Sequence, residues 1–497
     1  MAGINGLKGY VTPTTAALIA AYGNDMVNVG TGMGYGLNLN TNFSVEFENF
    51  LQLLFFQNYS DPPRTFNGTT WSKANVGRIP LSKYIKLFKG QLYLGYVSLN
   101  GTEYPSRIWR SDPPRNNALT WGYEYGSNLS TIAGNGLVAS ANAGFLANNI
   151  KRGDPFYITS GGAAGEYRVL TVAADQQIIL QDIYPFLAPQ VSSTGASYWV
   201  GGNWIDFDRD DGDFLTGLAE NTYQLIVFKR DSLHRFDGTN PEKIRGAPGT
   251  TSPRSIANLH ELTIYFYGGI GNRTGFYAYD GRESIKISGA IEEYIQGISG
   301  SNYASIIGFG EGELYRAYVG NISNTNKNIM VANAVVTWDY NTKTWSVDPI
   351  AHRIVAATEF RQTSTKQAYF GTNTNEIMVT PSGYDFNGTP IAWKTNTKIV
   401  YPNGTENINT FSRVQILSEN ANGIQVKYKL HLTPFDTDTQ FSGLGQISKE
   451  RTELDIPERH NQASGIELQF VGSSTQEPTP LIKKITIMSV KESSIIK

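Results

Sequence analysis

Phe236-Asp237-Gly238-Thr239 and Tyr279-Asp280-Gly281-Arg282 share one pattern: an aromatic residue, an Asp, a Gly, then a polar stretch. Phe66-Asn67-Gly68-Thr69 and Phe386-Asn387-Gly388-Thr389 repeat it with Asn, and Tyr340-Asn341-Thr342-Lys343 repeats it without the Gly. Two of these continue into Trp-Ser, at Trp71-Ser72 and Trp345-Ser346. Asn-Gly and Asp-Gly supply the positive φ angles of a two-residue hairpin turn, so each marks a strand doubling back. From Asp237 the steps are 43 residues to Asp280, 61 to Asn341 and 46 to Asn387. A hairpin signal recurring at roughly 40–50 residues is what the four-stranded blade of a β-propeller leaves in sequence. Six or seven such blades fit the chain. Asn-Gly is also common wherever strands turn in any all-β protein, and that plainer reading stays open here.

At 497 residues the chain exceeds one ordinary core, so two or three domains are expected. Its 28 Tyr, 24 Phe and 51 Gly against 17% charged residues describe strands and turns. The absence of Cys excludes disulfides, thiol catalysis and thiolate metal sites. With 41 Lys+Arg against 43 Asp+Glu the formal charge is −2. A protein gripping DNA through its phosphates carries a basic excess, so tight general nucleic-acid binding is disfavoured. A weakly charged wall along which DNA slides is compatible with this balance. Met1-Ala2-Gly3-Ile4-Asn5-Gly6 lacks the basic and apolar regions of a signal peptide. The apolar run at 50–56 falls far short of the ~20 residues needed to span a bilayer. The expectation is a soluble chain, not addressed for secretion and not inserted in membrane. The Asn-x-Ser/Thr sites at Asn67, Asn100 and Asn387 read as turn residues, not glycan acceptors.

Residues 1–42 are rich in Gly, Ala, Asn and Thr and read as an extended N-terminal arm, with one short helix over 14–21. From Phe43 the pattern alternates apolar and polar as half-buried strands do, giving a first propeller part at 43–126. Between 127 and 202 the blade signal stops. The runs 154–159, 166–172, 177–180 and 196–200 read as the strands of a small inserted β-barrel. Blade-like units resume over 203–400, interrupted by a helix at 290–295. Long alternating strands at 423–432, 466–471 and 482–488 then indicate a C-terminal β-sandwich over 401–497. One strand of that sandwich could return to close the propeller. The fold class expected is therefore all-β.

No residue stands out in the sequence as catalytic, cofactor-binding or metal-binding. Asp206-Phe207-Asp208-Arg209-Asp210-Asp211-Gly212-Asp213 resembles a calcium loop, since spaced carboxylates on a tight turn make an oxygen cage. An EF-hand begun at Asp206 wants Gly sixth and Glu twelfth, where Asp211 and Gly217 stand. A solvated acidic turn is the better reading. Gly30-Thr31-Gly32-Met33-Gly34-Tyr35-Gly36 misses G-x-G-x-x-G spacing and has no helix to follow it. Ser111-Asp112 with Thr120-Trp121 is a weak match to the Asp-box of sialidase propellers, lacking its central Gly. His234, His260, His352, His431 and His460 are dispersed, with no metal-ligand spacing. No nucleophile elbow or zinc-protease motif occurs, and nothing selects a pair of carboxylates for glycoside hydrolysis. No enzyme activity and no cofactor are expected.

Several blocks carry a family resemblance. They are Phe55-Phe56-Gln57-Asn58-Tyr59 with Pro63-Arg64-Thr65-Phe66-Asn67-Gly68-Thr69-Thr70-Trp71, and Ser106-Arg107-Ile108-Trp109-Arg110-Ser111-Asp112-Pro113-Pro114. Leu225-Ile226-Val227-Phe228-Lys229, Gly249-Thr250-Thr251-Ser252-Pro253-Arg254-Ser255 and Phe276-Tyr277-Ala278-Tyr279-Asp280-Gly281 with Lys286-Ile287-Ser288 complete them. Over residues 43–300 the chain resembles virion β-propeller proteins of tailed bacteriophages, including the tail nozzle and head-completion (DNA-stabilisation) proteins of short-tailed phages. The resemblance implies a structural protein of the phage tail, assembled in the host cytoplasm and residing in the virion. It implies a homo-oligomeric ring, a hexamer, below the portal and adaptor. Such a ring retains genomic DNA and then conducts it through the lumen between copies, not through a propeller axis. No DNA-facing residue is identified; Lys229-Arg230 and Arg110 could touch DNA in passing, with solvated surface charge the plainer role. Two other readings stand beside this one. A receptor-binding or glycan-cleaving tail component would bind host polysaccharide, and a cellular propeller scaffold would be a monomer holding a peptide over its central cavity.

Overall fold

A computed structural model describes residues 3–41, 43–73, 79–99, 101–114, 121, 123–182, 189, 191–201, 203–361, 366–380, 385–386, 389–433, 440–458, 461–474 and 480–494. Asn100, Thr120, His460 and the Asn387-Gly388 turn lie outside them. The chain is all-β, with 59% of residues in strands and 6% in helices. It divides into two compact units, one formed by 1–347 with 352–379 and the other by 348–351 with 380–497.

Among the described residues the first unit contains seven small antiparallel sheets and a closed barrel. Sheets 1 and 2 are the meanders starting with Ile4–Val11 and Glu46–Phe50, and sheet 3 starts with Leu81–Phe88. Sheets 4, 5 and 6 start with Leu215–Asn221, Ala257–Leu259 and Ile307–Glu311. Sheet 7, starting with Ile354–Arg361, has three strands among the described residues, and the other six have four. The first strand of each sheet packs against the first strand of the next. Ile354–Arg361 returns to pack on Ile4–Val11, so the contacts run in a closed, propeller-like circuit. Sheets 2 to 5 bury their second strands: Leu54, Phe56, Leu92, Leu94, Ile226, Phe228, Ile264 and Phe266 are all buried.

The circuit corrects the reading of residues 1–42 as an arm. They form Ile4–Val11, Ala16–Tyr22, Asp25–Asn28 and Met33–Gly34, a complete sheet, and the expected helix at 14–21 is its second strand. Small residues misled the pattern. A side chain at Gly9 would come within 2.4 Å of the Phe360 ring, and one at Gly371 within 2.8 Å of Ile4. The Gly/Ala content lets sheets 1 and 7 approach closely around Ile4, Leu7, Leu18, Ala20, Ala356 and Phe360. Among the described residues, the circuit is closed by the N-terminal strand packing on sheet 7.

The turn motif also takes a different form from the one expected. In sheets 2, 4 and 5 it joins the third and fourth strands through four residues: 67–70, 237–240 and 280–283. The Asn67, Asp237 and Asp280 side chains each accept the backbone N–H groups two and three residues on, at 2.8–3.0 Å. Gly68, Gly238 and Gly281 follow with φ of 97°, 106° and 97°. These are Asx turns, and the side-chain oxygen replaces a backbone acceptor. In sheet 6 the register slips by two, so that Asp339 plays the part assigned to Asn341. A two-residue turn with both φ positive occurs instead at Lys89-Gly90.

Sheet 3 is interrupted after its third strand, Thr102–Arg110, and takes its fourth strand, Asn203–Asp206, from beyond an insertion. The insertion is a closed six-stranded barrel from Tyr123–Ile132 to Ser193–Gly201, filled by Leu129, Val138, Phe145, Phe156, Ile178 and Tyr198. Tyr157 stacks on Trp199 at 3.9 Å where the barrel meets sheet 3. A short helix does occur at Glu292–Ile295.

The second unit is a pair of sheets around Phe411, Val414, Ile416, Val426, Leu468 and Phe470. It begins earlier than residue 401: Thr389–Asn396, assigned to the propeller from sequence, pairs with Gly465–Ser474. A 13-residue strand, Asn407–Glu419, lies between Arg451–Asp455 and Leu481–Ser494.

Candidate functional site

The first strands of six sheets, with the turn at 253–256 that leads into sheet 5, line an axial cavity of two chambers. One, of about 240 Å³, is lined along mid-strand by Lys8, Glu46, Glu48, Lys86, Arg254 and Thr358 among others. The other, of about 410 Å³, lies where several of these strands begin and is lined by Asn5, Tyr59, Lys83, Tyr84, Arg254 and Arg353 among others. Arg254 borders both.

Local structure fixes Arg254 in place. Thr250-Thr251-Ser252-Pro253-Arg254-Ser255 approaches sheet 5 as a buried loop ending in a 3-10 turn over Pro253–Ser255. Its hydroxyls satisfy buried backbone groups that no ladder reaches. Thr250 donates to the Phe266 carbonyl at 2.6 Å and Ser252 to the Ile306 carbonyl at 2.6 Å. Ser255 accepts the Phe266 N–H at 2.8 Å. A side chain at Gly249 would sit 1.8 Å from the Lys229 carbonyl, so only glycine fits there. The guanidinium then crosses the axis, donating to the Val355 carbonyl at 2.9 Å and the Asn5 carbonyl at 2.5 Å. Three sheets are tied through one side chain.

The mid-strand chamber has mixed charge. Glu48 pairs with Lys86 at 3.4 Å. Burial pushes the Glu46 carboxyl above the usual carboxylate range, against the pull of Arg254 and Lys8. Burial also holds the Arg254 guanidinium below its ordinary value, with Glu46 opposing.

A second polar cluster absorbs the acidic stretch. Asp206 holds Arg107 through two bonds of 2.8 Å, and that guanidinium stacks on Trp204 at 3.6 Å. Lys229 is fully buried; its ammonium donates to the Phe207 and Asp208 carbonyls at 3.0 and 2.9 Å and to Asp211 at 2.5 Å. The loop that resembles a calcium cage thus wraps the protein's own cation. Asp208 also pairs with Lys243 at 3.3 Å, and Asp213 accepts the Arg230 and Asp231 N–H groups. The stretch is a staple between sheets 3 and 4, not only a solvated turn. Beside it His234 is buried, 3.2 Å from the Ser232 hydroxyl, and burial pushes its pKa down to about 4.

The remaining sequence candidates are dispersed. Gly30–Gly36 spans a hairpin turn and the short strand Met33–Gly34, and the Gly36 and Leu37 N–H groups just after that strand bind the Asp25 carboxylate. Ser111 is buried against Leu92. His260, His352 and His431 pair separately with Glu313, Glu376 and Glu467. Among the described residues no three His, Asp or Glu side chains gather at metal-binding distance. Lys229 is neither exposed nor solvated, and Arg110 is held at the Gly238 carbonyl at 3.2 Å. Arg230 is exposed and paired with Asp231. Sequence reasoning missed Arg254 and the axial cavity; the clustered hydroxyls before Pro253 were the available signal.

No protein-family model matches the chain, and no curated protein matches it. Solved structures with some likeness include the computationally designed Ika8 protein, at 8% identity and TM-score 0.34, covering 76% of this chain and 96% of that one. BamB from Moraxella catarrhalis has 10% identity and TM-score 0.34, covering 75% and 95%. Phage phi92 endosialidase has 10% identity and TM-score 0.23, covering 96% and 68%. Likenesses this loose say nothing about activity.

Proposed function

We propose that this chain is a structural protein of a bacteriophage tail. In this reading the seven sheets are the blades of a seven-bladed propeller, a rigid wedge that assembles with copies of itself into a ring, a hexamer, below the portal and adaptor. The ring retains the genome and then conducts it during ejection, and the chain turns over no substrate. The observation that carries the reading is the Arg254 bridge, which fastens the axis to the Asn5 and Val355 carbonyls. An axis closed in this way suits a fixed building block, with DNA passing between copies. The sequence resemblance over residues 43–300 supports the same reading, as does a net charge of −2, which would let DNA slide without sticking. Cyclic assembly requires two different faces of each wedge to match. Mass photometry of the purified chain, alone and with portal and adaptor, tests this. A ring mass is expected, and a persistent monomer that shortens host polysaccharide would overturn it.

A further inference from the structure

We propose that the chamber where the first strands begin is a binding site for a small oxyanion, a phosphate or carboxylate carried on a molecule of about monosaccharide size. Three cations line it: Lys83, Arg254 and Arg353. No Asp or Glu is among its lining residues, although acids outnumber bases in the chain as a whole. None of the three cations has an ion-pair partner among the described residues. Lys83 is held 3.3 Å from the Tyr96 ring centroid and 4.9 Å from that of Tyr59, which fixes its direction without neutralising it. Burial holds its pKa below the usual lysine range, with Glu103 opposing. Glu103 is engaged by the Tyr59 hydroxyl at 2.6 Å, and Glu46 lines the neighbouring chamber.

Cations in a concave, partly desolvated space that no carboxylate lines attract an anion more strongly than the same charges on an open surface. Asn5, Tyr84 and Ser305 add neutral polar groups to the lining. The volume of about 410 Å³ falls at the small end of ligand pockets. A single sugar-sized molecule fits, and a nucleic-acid duplex does not. The site needs only one copy of the chain, so it stands or falls independently of ring assembly.

Isothermal titration of the full chain with inorganic phosphate, with glucuronate and with glucose tests this. Saturable binding of phosphate or glucuronate is expected, with the tighter of the two identifying the natural group, and no binding of glucose. Arg353→Gln, at an exposed position, and the Lys83→Gln/Arg353→Gln pair should weaken it, the pair by about tenfold or more. Circular dichroism of each variant confirms folding. The proposal is overturned if neither anion saturates, if glucose binds equally, or if the folded variants bind as the parent does.

Discussion

The Arg254 guanidinium donates to the Asn5 carbonyl at 2.5 Å although 249 residues separate the two in sequence. The same group reaches the Val355 carbonyl at 2.9 Å. One rigid, planar donor thus joins the start of the chain, the approach to sheet 5 and sheet 7.

Replacing Arg254 should loosen that junction. Arg254→Met leaves two carbonyls without their donor, with an expected loss of about 2 kcal/mol in chemical denaturation. Arg254→Lys should fall between, because one ammonium does not span both acceptors as the fork does. Native-state hydrogen exchange in Ile4–Val11 should rise in both variants.

Ring closure at sheets 1 and 7 depends on a missing side chain. Gly9→Val drives a branched residue into Phe360, and we expect a loss of about 1–3 kcal/mol. The double variant Gly9→Val/Phe360→Ala should recover part of it, since the two changes share one contact. Purely additive losses would mean that the two positions do not touch.

The Lys229 staple gives two expectations. Lys229→Met strands Asp211 and two carbonyls, for a loss of about 3–5 kcal/mol, and adding Asp211→Asn should return some of it. The melting temperature of the unmodified chain should be unmoved by millimolar calcium or by chelator. A rise with calcium would mean that the acidic loop binds metal after all.

His234 predicts a pH dependence with a definite sign. Its folded-state pKa is pushed down to about 4 by burial, against about 6.5 in the unfolded chain. As pH falls the unfolded state takes the proton first. The stability this residue contributes is therefore complete above about pH 6.5 and is lost between about pH 6.5 and 4. His234→Asn should lose about 2 kcal/mol less than the parent between pH 7 and about 4.5, measured by urea denaturation.

What the sequence disclosed follows from how far each interaction reaches. The turns of sheets 2, 4 and 5 were legible because Asn67, Asp237 and Asp280 each bind backbone only two and three residues away. The number of sheets was not, since sheet 3 is completed by Asn203–Asp206 from beyond the barrel and sheet 1 carries no such turn. Sheet 1 was misread because Gly9 and Ala20 look like linker residues until Phe360 and Ala356 are placed against them. The axial cavity was invisible for the same reason. Lys83, Arg254 and Arg353 are ordinary surface-type residues in sequence, and only closure of the circuit turns them inward.

Electron microscopy of the purified chain in negative stain addresses the structural assignment most directly. Closed rings of six copies around an open lumen are expected, with the lumen lying between copies. Single, unassembled particles at every concentration, together with release of fragments from host surface polysaccharide, would contradict it.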